Sequence, residues 1–105
     1  MENSKKQAIN LFNNKKYKES LSIFLSILKK KPDSIDALMF AVYNYMQLQN
    51  YKEAIINLEK IIQINNKLPD VYYNIAVCFN VLGRTEEAIS NFKKAISIKK
   101  DYFES

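Results

Sequence analysis

PDVYYNIAVCFNVLGRTEEAISNFKKAISI, residues 69–98, decides how the rest of the chain is to be read. Val71, Tyr72, Ile75, Ala76, Phe79 and Leu82 recur at spacings of three and four, which puts them on one face of an amphipathic helix. Gly83 ends that helix. A second begins after Thr85, whose hydroxyl suits a cap and whose followers Glu86 and Glu87 suit the positive end of the helix dipole. Its apolar stripe is Ala88, Ile89, Phe92, Ala95 and Ile96. Two such helices joined by a tight turn make an antiparallel hairpin whose outer apolar surface still needs covering.

The remainder of the chain supplies the neighbours. Shifted by 34 residues, and again by twice that, the sequence matches itself. Tyr17, Tyr51 and Thr85 share a slot, as do Glu19, Glu53 and Glu87. The slots that follow hold Ser20, Ala54 and Ala88, then Leu21, Ile55 and Ile89, then Phe24, Leu58 and Phe92, then Leu28, Ile62 and Ile96. In the first helices Ala8, Val42 and Ala76 align, and so do Leu11, Tyr45 and Phe79. Three copies therefore fill the chain, at about 1–34, 35–68 and 69–102, as a single domain.

The period, the small residues where paired helices cross (Ala8, Ala76; Ser20, Ala54, Ala88), the aromatics Tyr17, Tyr51, Phe24 and Phe92, and Pro32 closing the first copy together resemble the tetratricopeptide repeat family. The departures are a Trp slot holding Ser4, Leu38 and Tyr72, a turn glycine kept only as Gly83 with Lys15 and Gln49 elsewhere, and a closing Pro replaced by Asn66 and Lys100. The resemblance implies an all-α protein, a right-handed superhelical solenoid of three antiparallel helix hairpins with six helices. It also implies a non-enzymatic scaffold for protein–protein interaction.

Composition narrows the function classes. At 105 residues and 48% hydrophobic, the chain has material for one small continuous core. One Cys fits a reducing compartment, and MENSKKQAINLFNNKK has no apolar run of the kind a signal peptide needs, so the expectation is a cytoplasmic protein without membrane attachment. The formal charge of +5 invites a nucleic-acid reading. However, Lys29, Lys30 and Lys31 and Lys99 and Lys100 close helices, where cations satisfy carbonyls, and phosphate recognition favours Arg, of which Arg84 is the one example. Nucleic acid is thus an unfavoured partner.

Along the chain, Ser4-Lys5-Lys6-Gln7 has the form of a capping box, so the first helix starts after Ser4 and runs to about Asn14. Pro32-Asp33-Ser34 stops the second helix and caps the third. Pro69 suits a first helical position, and the tail KKDYFES echoes Pro32-Asp33-Ser34 followed by the start of a further helix.

Catalysis has little to stand on. The chain has no His, Cys78 lies on a packing face, and one Gly cannot build a phosphate loop. Catalytic, cofactor and metal residues are therefore assigned to none. In the repeat family the first helices line a concave groove. Carried over, that lining gives Ile9 and Phe12, then Met39, Phe40, Tyr43 and Met46, then Tyr73, Asn74 and Val77, apolar enough in the middle to hold an apolar or amphipathic segment. Phe40→Ala and Tyr43→Ala are expected to abolish partner capture with little change in melting. Family members that clamp a chaperone's terminal carboxylate use Lys and Asn in the first helix, Asn in the third, and Lys and Arg in the fifth, where this chain has Lys5, Ile9, Phe40, Asp70 and Asn74. Only Lys5 matches and Asp70 would repel, so that mode is rejected. The runner-up is a single-stranded RNA binder stacking bases on Phe12, Phe40, Tyr43 and Tyr73, opposed by Asp36 and Asp70.

The last helix raises a separate expectation. Ile89, Phe92 and Ile96 face the direction in which a fourth repeat would stack, with only Tyr102 and Phe103 to cover them. A homodimer through this C-terminal face, or the next helix of a longer repeat array, would bury them.

Overall fold

The chain folds, in a computed structural model that describes residues 2–104 and the side chains of residues 3–101, into six helices. They are α1 (Glu2–Asn13), α2 (Tyr17–Lys30), α3 (Ile35–Gln47), α4 (Tyr51–Ile64), α5 (Pro69–Val81) and α6 (Thr85–Glu104). No strand occurs among the described residues. Each helix packs on its neighbours in sequence, so the molecule is a row of three hairpins.

The turns inside the hairpins are one device used three times. Lys15, Gln49 and Gly83 take positive φ of 64°, 62° and 80°, the left-handed conformation that ends a helix. Behind them the amides of Lys16, Asn50 and Arg84 donate to the carbonyls of Leu11, Tyr45 and Phe79, each at 2.8 Å. The amides of Lys15, Gln49 and Gly83 donate to Phe12, Met46 and Asn80. This paired bonding absorbs carbonyls that a helix end leaves bare. Between hairpins, Ser34 Oγ accepts from the Ala37 amide at 3.3 Å and caps α3, and Pro69 opens α5 as its first residue.

Three expectations about helix ends need correcting. Ser4 lies inside α1, which already runs from Glu2, because no Pro or Gly stands upstream of it to break helical backbone. Thr85 is the first helical residue of α6 and not its cap. The tight turn delivers the chain straight into the helix, with the Ala88 amide donating to the Arg84 carbonyl at 3.0 Å and Arg84 Nε to Glu87 Oε1 at 2.6 Å. After Ile98 there is no stop: α6 continues to Glu104, since Lys100 stands where Pro32 ends α2 and retains the amide that Pro lacks. Covering of the C-terminal face by Tyr102 and Phe103 lies outside the described residues.

The core is a continuous seam. Leu38, Val42, Leu58, Ile61, Val71, Ile75, Cys78 and Phe79 join α3, α4 and α5 with Ala54 and Ala88 at the helix crossings. A smaller cluster of Ala8, Phe24 and Ala37 joins α1, α2 and α3. Leu82, expected in the buried stripe of α5, is exposed at that helix's C-cap, and Ile89 and Ile96 are exposed on α6, whose buried contacts reduce to Ala88 and Ala95 with Phe92 half-buried. One seam is polar: Asn44 Nδ2 donates to Ser20 Oγ at 3.0 Å, and Ser20 Oγ donates to the Ala8 carbonyl at 2.8 Å.

Candidate functional site

The first helices α1, α3 and α5 carry the residues singled out for a groove, and the side chains gather into three groups. Phe12 from α1 stands edge-on to Phe40 of α3, with ring centroids 5.9 Å apart, and lies 6.3 Å from Tyr43. Phe40 and Tyr43 meet edge-to-face at 6.1 Å. Beneath them Phe40 is stacked on Phe24 at 4.9 Å with an interplanar angle of 1°, and Phe24 is fully buried. Ile9 packs against this same cluster. A half-buried aromatic group is thereby held across the α1–α3 junction by a core residue, and geometry of this kind preorganises a surface rather than leaving it to rearrange.

Met39 and Met46 form the second group. Both are partly buried against the main core, where unbranched thioether side chains adapt to the packing. Asn74 and Val77 are half-buried on α5, and Asn74 Nδ2 turns back to the Asp70 carbonyl at 2.8 Å. Tyr73 belongs elsewhere. It leans edge-on against Phe92 of α6 at 5.6 Å, so it joins the C-terminal face and not the Phe12–Phe40–Tyr43 cluster.

Charged side chains stand beside these residues on α1 and α3. Lys5 Nζ reaches Asp36 Oδ2 at 2.9 Å and ties α1 to α3. Burial, with the Asp70 carboxylate adding to it, holds the Tyr43 phenol above its ordinary value, so it stays a neutral hydroxyl at physiological pH. The Lys5–Asp36 pair is not visible from spacing alone, since the two residues lie 31 positions apart on α1 and α3.

Phe12 meets Phe40, and Phe40 meets Tyr43, edge-to-face, so in each pair the edge of one ring takes up part of the other's π-face. Cys78 is buried and its thiol is pushed up to about 11 by burial, which suppresses the reactive thiolate near neutral pH. Among the described residues no group of three His, Cys, Asp or Glu side chains could hold a metal ion, and no helix is long and apolar enough to cross a membrane.

Comparison with known proteins agrees with the geometry. Profiles of the tetratricopeptide repeat match residues 35–68 and 69–102. The TPR repeat-containing protein MJ1345 of Methanocaldococcus jannaschii is 31% identical over 60 residues, which cover 57% of this chain and 19% of that protein. Among solved structures, MamA (MSR-1) superposes with a TM-score of 0.89 at 18% identity, over 94% of this chain and 57% of that one. PcrH, solved in complex with the chaperone binding region of PopD, superposes with a TM-score of 0.87 at 18% identity, over 92% and 73%. The chain thus spans about a fifth of the M. jannaschii relative. The structural likeness establishes the fold, an all-α right-handed superhelix of helix hairpins.

Proposed function

From the premise that the chain belongs to the tetratricopeptide repeat family, we propose that it is a non-enzymatic scaffold for protein–protein interaction that holds an apolar or amphipathic peptide segment, helical or extended, in its concave groove. The observation that carries this reading is the aromatic cluster of Phe12, Phe40 and Tyr43, partly exposed yet pinned from below by Phe24. Apolar anchors set on a rigid floor are what a binding hot spot requires. Met39 and Met46 extend the apolar lining toward α5, and Asp70 gives the adjoining rim a negative charge that favours a partner with a basic residue beside its anchor and disfavours a terminal carboxylate. That a related fold, PcrH, has been solved with a segment of a protein partner is consistent with the same use here.

Selection from a displayed library of random peptides tests the proposal. Enriched ligands should be apolar with flanking Lys or Arg, and Tyr43→Ala and Phe12→Ala should each weaken their binding by about 10-fold, near the 1–2 kcal/mol of a hot-spot truncation. Ligands indifferent to both changes would place binding on another face. Phe40→Ala is the wrong probe despite its place in the groove: its ring stacks on a core residue, so truncation will lower stability as well as affinity. Titration of a labelled single-stranded oligonucleotide at two salt concentrations is the counter-test, and tight, steeply salt-dependent binding would favour RNA instead.

A further inference from the structure

The two ends of the row of hairpins are chemically unlike, and the difference says what can cover the open one. Inside the molecule, Leu58 of α4 is fully buried, and Ile55 and Ile62 beside it are partly buried, because α5 lies over them. The residues in the same slots of α6, 34 positions later, are Ile89, Phe92 and Ile96. Ile89 is 48% and Ile96 66% exposed, Phe92 is half-buried, and Tyr73, 54% exposed, leans on Phe92 from the side. At the other end, α1 offers Asn3, Gln7 and Asn10, all exposed, where α5 uses the buried Val71, Ile75 and Cys78.

Stacking a second copy head to tail would therefore set a polar amide surface on the apolar face of α6 and leave its donors and acceptors unpaired. The apolar face of another α6 is the complement this chain itself provides. The helix's charges select the orientation. Glu86 lies in its first turn and Lys99 near its far end, so two copies running antiparallel bring opposite charges together while parallel copies bring like charges together; Glu87 is already held by Arg84. We propose that the chain forms a two-fold dimer in which the α6 helices of two copies pack antiparallel through Ile89, Phe92 and Ile96, with Tyr73 at the margin. A two-fold contact closes on itself, so assembly stops at two. The exposed parts of these side chains amount to roughly 400 Å² per copy, below the ~800 Å² per partner of a standard stable interface, so the dimer is weak and concentration-dependent.

The test is sedimentation equilibrium of the 105-residue chain from about 1 µM to about 500 µM. The expected result is a monomer–dimer equilibrium with Kd on the order of 10–100 µM. Ile96→Lys, at a position open enough to keep the fold, should raise Kd at least about 10-fold with an unchanged helical circular dichroism spectrum, and Ile89→Lys should do the same. Glu86→Lys should weaken the dimer and Glu86→Lys combined with Lys99→Glu should restore it. A mass that grows beyond two copies, a dimer indifferent to both lysine variants, or no recovery in the charge swap would overturn the antiparallel arrangement. A chain that stays monomeric but binds a synthetic peptide of residues 69–82 would assign the face to a repeat-type helix instead and overturn the dimer.

Discussion

At the scale of single residues, the contact between the first and second hairpins carries a buried polar pair where the contact between the second and third has none in the same slots. Ser20 and Asn44 meet in the first, Ala54 and Cys78 occupy the same slots in the second, and all four are buried. The polar pair is incomplete. Asn44 Nδ2 donates to Ser20 Oγ, which donates on to the Ala8 carbonyl, while Asn44 Oδ1 is buried and has no partner. An unsatisfied buried acceptor costs about 1–3 kcal/mol, against about 1 kcal/mol from a typical hydrogen bond. Asn44→Cys, which conserves volume and copies the third repeat, should therefore leave stability unchanged or raise it by up to about 1 kcal/mol. Ser20→Ala should cost about 1–3 kcal/mol, because it strands the Asn44 amide donor as well. The double variant should return near wild type, giving a coupling on the order of 1–2 kcal/mol in a urea-denaturation cycle. Additive single effects would show that the pair is not an energetic unit. Cys78, by contrast, shows how little a buried thiol perturbs such a seam: raised to about 11, it acts as a small apolar residue.

At the scale of elements, the three identical turns set the hairpins, and two of them are built from the wrong residue type. Lys15 and Gln49 hold left-handed backbone at φ 64° and 62°, where only Gly83 does so without a Cβ. Lys15→Gly and Gln49→Gly should each stabilise by about 0.5–1 kcal/mol, visible as higher thermal midpoints, with Gly83→Ala lowering the midpoint even though a Cβ there meets nothing within 4 Å. A destabilised Gln49→Gly variant would mean that the entropy added to the unfolded chain outweighs the relieved strain. The turns were legible in the sequence because the slot of Gly83 recurs at Lys15 and Gln49 in an otherwise matching period, and the helix pairs were legible because every copy repeats the same apolar spacing. The caps were not. Ser4 and Thr85 have the right chemistry, but a cap needs an extended residue before the helix, and at Thr85 the turn bonding of Arg84 to Phe79 leaves no room for one. The lining carried over from the repeat family also put Tyr73 in the same groove as Tyr43, because it reports which helix face a residue occupies and not which way an aromatic ring leans. The Tyr73 ring leans on Phe92. The Phe40 stack on Phe24 was invisible for the same reason: it joins slots of neighbouring repeats that no single helical period relates.

At the scale of the whole molecule, the main contacts among the described residues run between helices adjacent in sequence, so local stability follows the seams. The apolar seam through α3, α4 and α5 contains Leu38, Val42, Leu58, Ile61, Val71 and Ile75, whereas α1 is held by Ala8, a few half-buried side chains, the Ser20 hydrogen bond and the exposed Lys5–Asp36 pair. An exposed ion pair contributes about 0–1 kcal/mol, and Ala8 buries little area, so α1 should open well before the centre. Native-state hydrogen exchange against denaturant should show the α1 amides exchanging through a small opening with a low denaturant slope, and the α3, α4 and α5 amides only through global unfolding. Equal protection of α1 and α4 would mean that the row unfolds as one cooperative unit. This gradient bears on the groove, because Phe12 stands on the weakest helix and Phe40 and Tyr43 on one of the strongest. A segment that bridges the three rings binds only the closed form of α1 and must stabilise it by RT ln(1 + [L]/Kd), about 2.7 kcal/mol at a ligand concentration one hundred times Kd. Peptides selected on the groove should therefore slow exchange in α1 far more than in α5, and a peptide that protects α5 and α6 while leaving α1 untouched is bound at the other end of the molecule.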